Sequence, residues 1–343
     1  MQCRTLRVAA LAAALSPFSG CGGDADVVLY VALDQEHSES LVKRFEEESG
    51  LRVRARYDTE ASKTVGLVSA ILEEGGRPRC DVFWNNEIAQ TVRLAQKDAL
   101  APYVSPNAAD LPAAYKEPSG LYAGFAARAR VLIVNTEVLP DAASWPTSMW
   151  DLTDPKWKGR CGIARPLTGT TLTHFTALRG ALGEAEFDRF VDGLFENDVA
   201  LLQSNGATMR AVRDGDLAFA FTDTDDFHVA KSKGHPVACV FPDQGDGEIG
   251  TMLIPNSVAM VKGGPNPEAA RTLIDFVLSE QVEALLAASR SAQIPLRAGV
   301  AGPAEEQILE IGAFKEMEWD VAATAAALEE SMAAFQSRFQ GQG

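Results

Sequence analysis

Val27-Val28-Leu29-Tyr30-Val31-Ala32 is a near-continuous apolar run. A strand with this pattern is covered on both faces, as in a parallel sheet flanked by helices. A polar loop, Leu33 to Ser38, follows, and Leu41, Val42 and Phe45 then recur at helical spacing before the stop signal Ser49-Gly50. Leu51 to Tyr57 alternates as a second strand, and Ser62 to Glu74 is an amphipathic helix closed by Gly75-Gly76. A third strand, Cys80 to Trp84, ends on Asn85-Asn86-Glu87, and a helix runs from Ile88 to Lys97. The order βαβαβα predicts an α/β chain with a doubly wound sheet, because parallel strands need crossover connections. Ligands of such sheets bind beyond the carboxyl ends of the strands. Those ends carry Asp34 to His37, Asp58 to Ser62 with Glu60 among them, and Asn85 to Glu87, all polar and on one rim.

Upstream of this run lies a leader. Arg4 and Arg7 form a positive n-region, and Val8 to Leu15 is an apolar segment far too short to span a bilayer. Phe18-Ser19-Gly20-Cys21 resembles a bacterial lipobox, which implies removal of residues 1–20 and a lipid anchor on Cys21. A plain secretory signal is the alternative. No later stretch is long and apolar enough to be a transmembrane helix, so the protein is expected outside the cytoplasm, in the periplasm or on the outer face of a membrane.

Without Arg4 and Arg7 the chain holds 29 basic and 47 acidic residues, a net charge of −18. That excess argues against nucleic acid or an anionic membrane face as a partner. With 343 residues, 46% of them hydrophobic, the chain suits two domains. Cys80, Cys161 and Cys239 sit in apolar contexts and read as small buried hydrophobes, with room for one Cys–Cys pair. No zinc-type Cys–His spacing occurs.

Further along, Arg130 to Asn135 is strand-like, and Trp150 to Gly159 is a loop rich in aromatic and turn residues. Cys161 to Ala164 is a strand that leads into Arg165-Pro166-Leu167-Thr168-Gly169-Thr170-Thr171 and a helix from about Leu172. A strand, a hydroxyl-rich turn and a helix start make an anion cradle, to which Arg165 adds a bidentate donor. The competing reading is a Thr-capped helix beside a surface arginine. It is not a P-loop, since the Gly-Lys-Ser/Thr ending is missing. Phe187 to Asn197 is helical, and another helix begins at Asn205 and ends at Asp214-Gly215.

A short strand, Leu217 to Phe221, then runs into Thr222-Asp223-Thr224-Asp225-Asp226. Three carboxylates in four positions repel one another unless a cation, an amine or helix amides compensate them. In the bland reading Asp223 is a helix N-cap and the others are solvated in the first turn. Strand geometry carried through the stretch sends Asp223 and Asp225 to one side and Asp226 away, toward solvent. Val237 to Phe241, Gly250 to Ile254 and Val258 to Lys262 read as strands, Pro267 to Leu278 as a helix, and Ile294 to Arg297 as extended. Helices from about Ala304 complete the chain.

Several of these stretches together resemble the periplasmic ferric-iron-binding proteins of ABC importers. They are Tyr30 to His37, Asp81-Val82-Phe83 with Glu87, Arg128 to Val134, Trp157-Lys158-Gly159, Asn205 to Asp216, Val229-Ala230 and Pro295-Leu296-Arg297. The resemblance implies a two-lobed type II periplasmic-binding-protein fold. Each lobe would be a doubly wound, mostly parallel sheet flanked by helices, and two crossing strands would join the lobes. One lobe would span residues 24–127 and 257–300, the other 128–256 and 301–343, with the cleft between them.

The family holds Fe³⁺ with a His, a Glu, a Tyr-Tyr pair and a synergistic anion. Glu87 falls on the Glu position and His37 near the His position, whereas Thr224-Asp225 stand where the Tyr pair would be. The implied ligand-binding set is Glu60, Asn86, Glu87, Arg128, Arg165, Thr170, Thr171, Asn205, Asp223, Thr224 and Asp225, with Glu87, Asp223, Asp225 and His37 as metal ligands. Carboxylates are hard oxygen ligands that suit Ca²⁺, Mg²⁺ or Mn²⁺ as readily as iron. The expected function is a monomeric receptor delivering ferric iron, or an iron complex, to ABC permease subunits, with no resident cofactor. The alternative is the same role for a small organic ion such as an amino-phosphonate or another zwitterion. Its amine would meet Asp223, Asp225 and Glu87, and its anionic group Arg165, Thr170 and Thr171. An enzyme is not expected: there are four histidines, and neither Gly-x-Ser-x-Gly nor His-Glu-x-x-His occurs.

Replacing Cys21 by Ala should release the protein from the membrane fraction; equal membrane retention of the variant would show that the cysteine carries no anchor.

Overall fold

The computed structural model describes residues 25–33, 35–58, 65–300 and 312–339. Cys21, Asp34 and Glu60 lie outside the described residues. The strands are β1 (Val27–Val31), β2 (Val53–Tyr57), β3 (Val82–Asn85), β4 (Leu100–Ala101), β5 (Ala123–Asn135), β6 (Cys161–Ala164), β7 (Ala200–Leu202), β8 (Phe219–Asp223), β9 (Val237–Val240) and β10 (Leu253–Val261). The α-helices are α1 (Gln35–Ser49), α2 (Val65–Glu74), α3 (Ile88–Gln96), α4 (Gly169–Leu182), α5 (Glu184–Glu196), α6 (Asn205–Arg213), α7 (Thr224–Ser232), α8 (Pro267–Val277), α9 (Glu280–Ala288) and α10 (Val321–Phe339).

β1 is buried along its whole length and pairs in parallel with both β2 and β3, as its unbroken apolar run demands. β10 closes this first sheet antiparallel to β3. β5 is the longest strand and serves both lobes. Its first part pairs with β10, from Ala123 to Ala129, and its second part pairs with β8 and β9, from Arg130 to Asn135. In the second sheet β6 lies parallel to β7 and β8. Each lobe therefore has a parallel core with antiparallel strands added. One apolar cluster gathers Leu29, Phe45, Trp84, Phe125 and Leu273; a second gathers Leu132, Phe175, Phe190, Phe219 and Phe335. α3 contributes Ile88 and Val92 to that second cluster, and α10 packs against both α3 and α4.

The crossing strands are not regular. Ala126 has φ +34°, inside the left-handed region, and the β5–β10 register shifts between Pro255 and Asn256. The Asn256 amide donates to the Ala126 carbonyl, and Glu283 accepts the Ala126 N–H at 2.7 Å. Glu283 also accepts from the Leu296 N–H at 3.0 Å and pairs with Arg297 at 2.8 Å, fully buried. Residues 283–297 thus clamp the kinked strand.

Several sequence expectations need correction. The polar stretch read as a loop is largely the first turn of α1, which begins at Gln35, and Gln35 hydrogen-bonds Glu39 one turn on. α4 begins at Gly169, three residues before Leu172, because the turn ends in a left-handed glycine that enters the helix at once. The two strands expected around Pro255-Asn256 are one, β10, which absorbs the irregularity as a register shift. β4, β7 and α9 have no counterpart in the sequence reading. The three cysteines are free, so no Cys–Cys pair forms among them.

Glu283→Ala would take from Arg297 its buried carboxylate partner, leaving it only the exposed Asp110 at 2.9 Å, and would leave two backbone N–H groups without an acceptor. A loss of about 3–5 kcal/mol in denaturant unfolding is expected; a loss below about 1 kcal/mol would show that the clamp contributes nothing to the fold.

Candidate functional site

The middle of β5, the turn after β6, and the starts of α4, α6 and α7 converge on one polar cavity. Arg128, Arg165, Thr168 to Thr171, Gln203 to Asn205, Asp223, Asp225 and Asp226 line it from one side, with Leu33 and Asn86 from the other. Three helices point their N-termini at it. Ser204 caps α6 through the Ala207 N–H, but Thr168 and Asp223, the N-cap residues of α4 and α7, make no side-chain cap bond. The first-turn amides of α4 and α7 are thus left to other acceptors, which gives the wall a positive character.

Asp223 faces inward instead. Its Oδ1 pairs with Arg130 Nη1 at 2.5 Å, and its Oδ2 accepts from the Thr170 hydroxyl at 2.7 Å and the Asn205 amide at 3.0 Å. Burial acts to raise the Asp223 carboxyl, but the charges of Arg130 and Arg128 outweigh it and hold the group below the usual carboxylate range. Both oxygens are engaged. Thr171 in turn donates to Asn205 Oδ1 at 3.1 Å, which fixes the amide orientation. Arg128 lies 3.6 Å from Asp225 and donates to the Asn86 carbonyl. Asp226 accepts from the Thr222 hydroxyl at 2.9 Å and lines the cavity, contrary to the expectation that it points to solvent. The strand ends at Asp223, so the helical turn of α7 brings Asp226 back. One oxygen from each of the three aspartates lies within 4.8 Å of the others.

Arg165 stands apart from this network. Its Nε is buried without a hydrogen-bond partner, and no carboxylate pairs with it among the described residues.

Glu87 has a different place. It is fully buried as the N-cap of α3, accepting from the Ala89 and Gln90 N–H groups, both at 2.9 Å, from Asn85 at 3.2 Å and from Thr173 of α4 at 3.0 Å. Burial raises its carboxyl while these donors lower it, with a net rise. It does not line the cavity, and neither does half-buried His37 on α1. The Thr224 hydroxyl accepts the Ala129 N–H at 3.1 Å and ties α7 to β5. The structure thus brings Asn86, Arg128, Arg165, Thr170, Thr171, Asn205, Asp223 and Asp225 to one cavity. Arg130 and Gln203 were missed. Arg130 had a signal: two residues after Arg128 in an apolar strand, it must share a face with it.

The profile of the bacterial extracellular solute-binding protein family matches residues 40–310. The chain belongs to that family. Among curated relatives of this solute-binding protein, iron uptake protein A1 of Synechocystis sp. is 28% identical over 86% of this chain and 81% of its own length. The major ferric iron-binding protein of Neisseria meningitidis is 26% identical over 85% and 86%. The putative 2-aminoethylphosphonate-binding periplasmic protein of Salmonella typhi is 24% identical over 63% of each. In fold, the chain is similar to iron-bound HitA from Pseudomonas aeruginosa, with a TM-score of 0.80, 24% identity, and coverage of 90% of this chain and 98% of that one. The two-lobed type II periplasmic-binding-protein fold is therefore the fold of this chain. Among the described residues no helix is long and apolar enough to cross a membrane.

The lowered Asp223 carboxyl contributes stability that is present above the ordinary carboxylate range and is lost as pH falls through the folded value. Asp223→Asn should cost about 3 kcal/mol at neutral pH, since Arg130 would keep its buried charge without a partner. Denaturant midpoints for both proteins should converge as the medium is acidified. A cost that stays constant with pH would mean that the loss is steric.

Proposed function

We propose that this solute-binding protein is the extracytoplasmic receptor of an ABC importer, anchored through Cys21, that encloses iron carried together with an anion. Arg165 is the observation that carries the reading: its buried Nε lacks a partner and it stands in the turn that leads into α4, whose first-turn amides receive no side-chain cap. A guanidinium beside uncapped helix amides receives a carboxylate or phosphate group. The relatives whose names mention iron support the metal part of the cargo. Asp225 and Asp226, which line the same cavity, are the carboxylates left to meet that metal, while Asp223 is already neutralised by Arg130. Residues 24–127 with 257–300, and 128–256 with 301–343, would act as the two closing bodies, the chain as a monomer that contacts permease subunits. Binding is its whole activity in this reading, with no catalytic step.

One observation favours a second reading, a zwitterion such as an amino-phosphonate. Arg165 and Arg128 line the same cavity as Asp225 and Asp226, so both signs of charge are present there without a metal. Elemental and mass analysis of the ligand released from the purified protein under denaturing conditions separates the two. Arg165→Ala should weaken binding of that ligand by about 1.5–3 kcal/mol and leave the melting of the empty protein unchanged. A large loss of stability with unaltered affinity would make Arg165 structural and remove the basis of the proposal.

A further inference from the structure

Two buried polar atoms behind the cavity have no partner, and their chemistry is complementary. Arg130 Nε carries a hydrogen to donate, and His174 Nδ1 on α4 is a ring nitrogen; both lack a hydrogen bond. The surroundings of the two residues overlap. Arg130 Nη1 and Nη2 lie 3.5 and 3.4 Å from the hydroxyls of Thr170 and Thr171, and His174 follows these by four and three positions, on the same face of α4. Both side chains also flank one ring. The guanidinium carbon is 4.8 Å from the centroid of Phe221, and the imidazole centroid is 5.1 Å from it. Arg130 is 0% exposed and His174 3%, so bulk water satisfies neither.

We propose that His174 is a positioning residue for the ligand cavity: its Nδ1 accepts the Nε–H of Arg130 and fixes the guanidinium with its Nη1 edge on Asp223. Neither nitrogen has another partner, so a turn of the ring that joins them satisfies both at once. An unmade buried hydrogen bond of this kind is costly on both sides, which is the force that draws the pair together. The imidazole is suited to accept. Burial first, and then the Arg130 charge, hold His174 well below its ordinary value, so it is neutral and carries one bare nitrogen. The consequence concerns selectivity. With its Nε edge held by His174 and its Nη1 edge held by Asp223, Arg130 cannot turn toward the cavity. Arg128 and Arg165 are then the arginines that meet the ligand.

The inference rests on the cavity being the ligand site, but its decisive test does not depend on the ligand. In ¹⁵N-labelled full-length mature protein, the expected result is a slowly exchanging Arg130 Nε–H together with a His174 ring protonated at Nε2 and accepting at Nδ1. His174→Leu should abolish the slow exchange, and His174→Asn, whose Oδ1 stands near the place of Nδ1, should restore it. With ferric citrate as the probe, His174→Leu should bind about tenfold more weakly and His174→Asn within about twofold of the parent. Should His174→Leu not fold, the parent protein and His174→Asn still provide the comparison. A fast-exchanging Arg130 Nε–H in the parent, or slow exchange that survives His174→Leu, would overturn the proposal. A parent protein that ignores ferric citrate yet shows the His174 signature would count against the iron reading and support this one.

Discussion

The fully buried ion pair between Arg130 and Asp223 sets what the rest of the second lobe must do. Removing both charges from water is costly, and the attraction between them offsets that cost only where geometry and further hydrogen bonds are good. The chain meets that condition by drawing in four elements. Arg130 comes from β5, Asp223 from the end of β8, Thr170 from α4 and Asn205 from α6. None of these elements could shift without orphaning a donor or acceptor, so the pair fixes where three helix N-termini point. It also explains the absence of a side-chain cap at α7, because the residue in the cap position faces the other way.

The same pair decides what charge is left for a ligand. Counted as bare residues, Asp223, Asp225 and Asp226 look like a cation site, and their oxygens do lie close together. Asp223 is compensated, however, and displacing Arg130 to free it would strand a buried guanidinium. The remaining balance is two aspartates, one of them 3.6 Å from Arg128, against Arg165 and the uncapped amides of α4. A bare trivalent cation would meet too little negative charge here. A cation that arrives with its own anion, or a zwitterion, matches both signs of charge.

The fold was legible because burial on both faces writes itself into consecutive residues, as in Val27 to Val31, and because crossover helices follow each such strand. Irregular strands were not legible: Pro255-Asn256 reads as a break, and only pairing with β5 shows that β10 continues through it. The uses of single carboxylates were hidden for a related reason. An acid between a strand and a helix start is what both an N-cap and a ligand residue look like. Glu87 caps α3 and Asp223 caps nothing, and the difference lies in which donors happen to be near: two backbone amides for one, a guanidinium from another strand for the other. Arg130 was overlooked because an arginine in an apolar run has no local partner to announce its role. Its partner is distant in sequence and adjacent only across the β5–β8 pairing.

α4 gives the site its reach across the molecule. Thr170 and Thr171 face Arg130, Asn205 and the cavity, His174 packs against Phe221, as Arg130 does, and Thr173 donates to Glu87 at the start of α3. These four residues occupy the first two turns of one rigid helix, so a force on its N-terminal amides is felt at the contact with Glu87. Glu87 in turn is held by Asn85, which ends β3, and β3 pairs with β10 where that strand crosses between lobes. The cavity wall and the contact between α3 and α4 are therefore parts of one bonded series of elements. The kinked pair Ala126 and Asn256, held by Glu283, is where the crossing strands that complete this series leave regular pairing, so the series rests on a backbone held by a buried carboxylate rather than by the ladder alone.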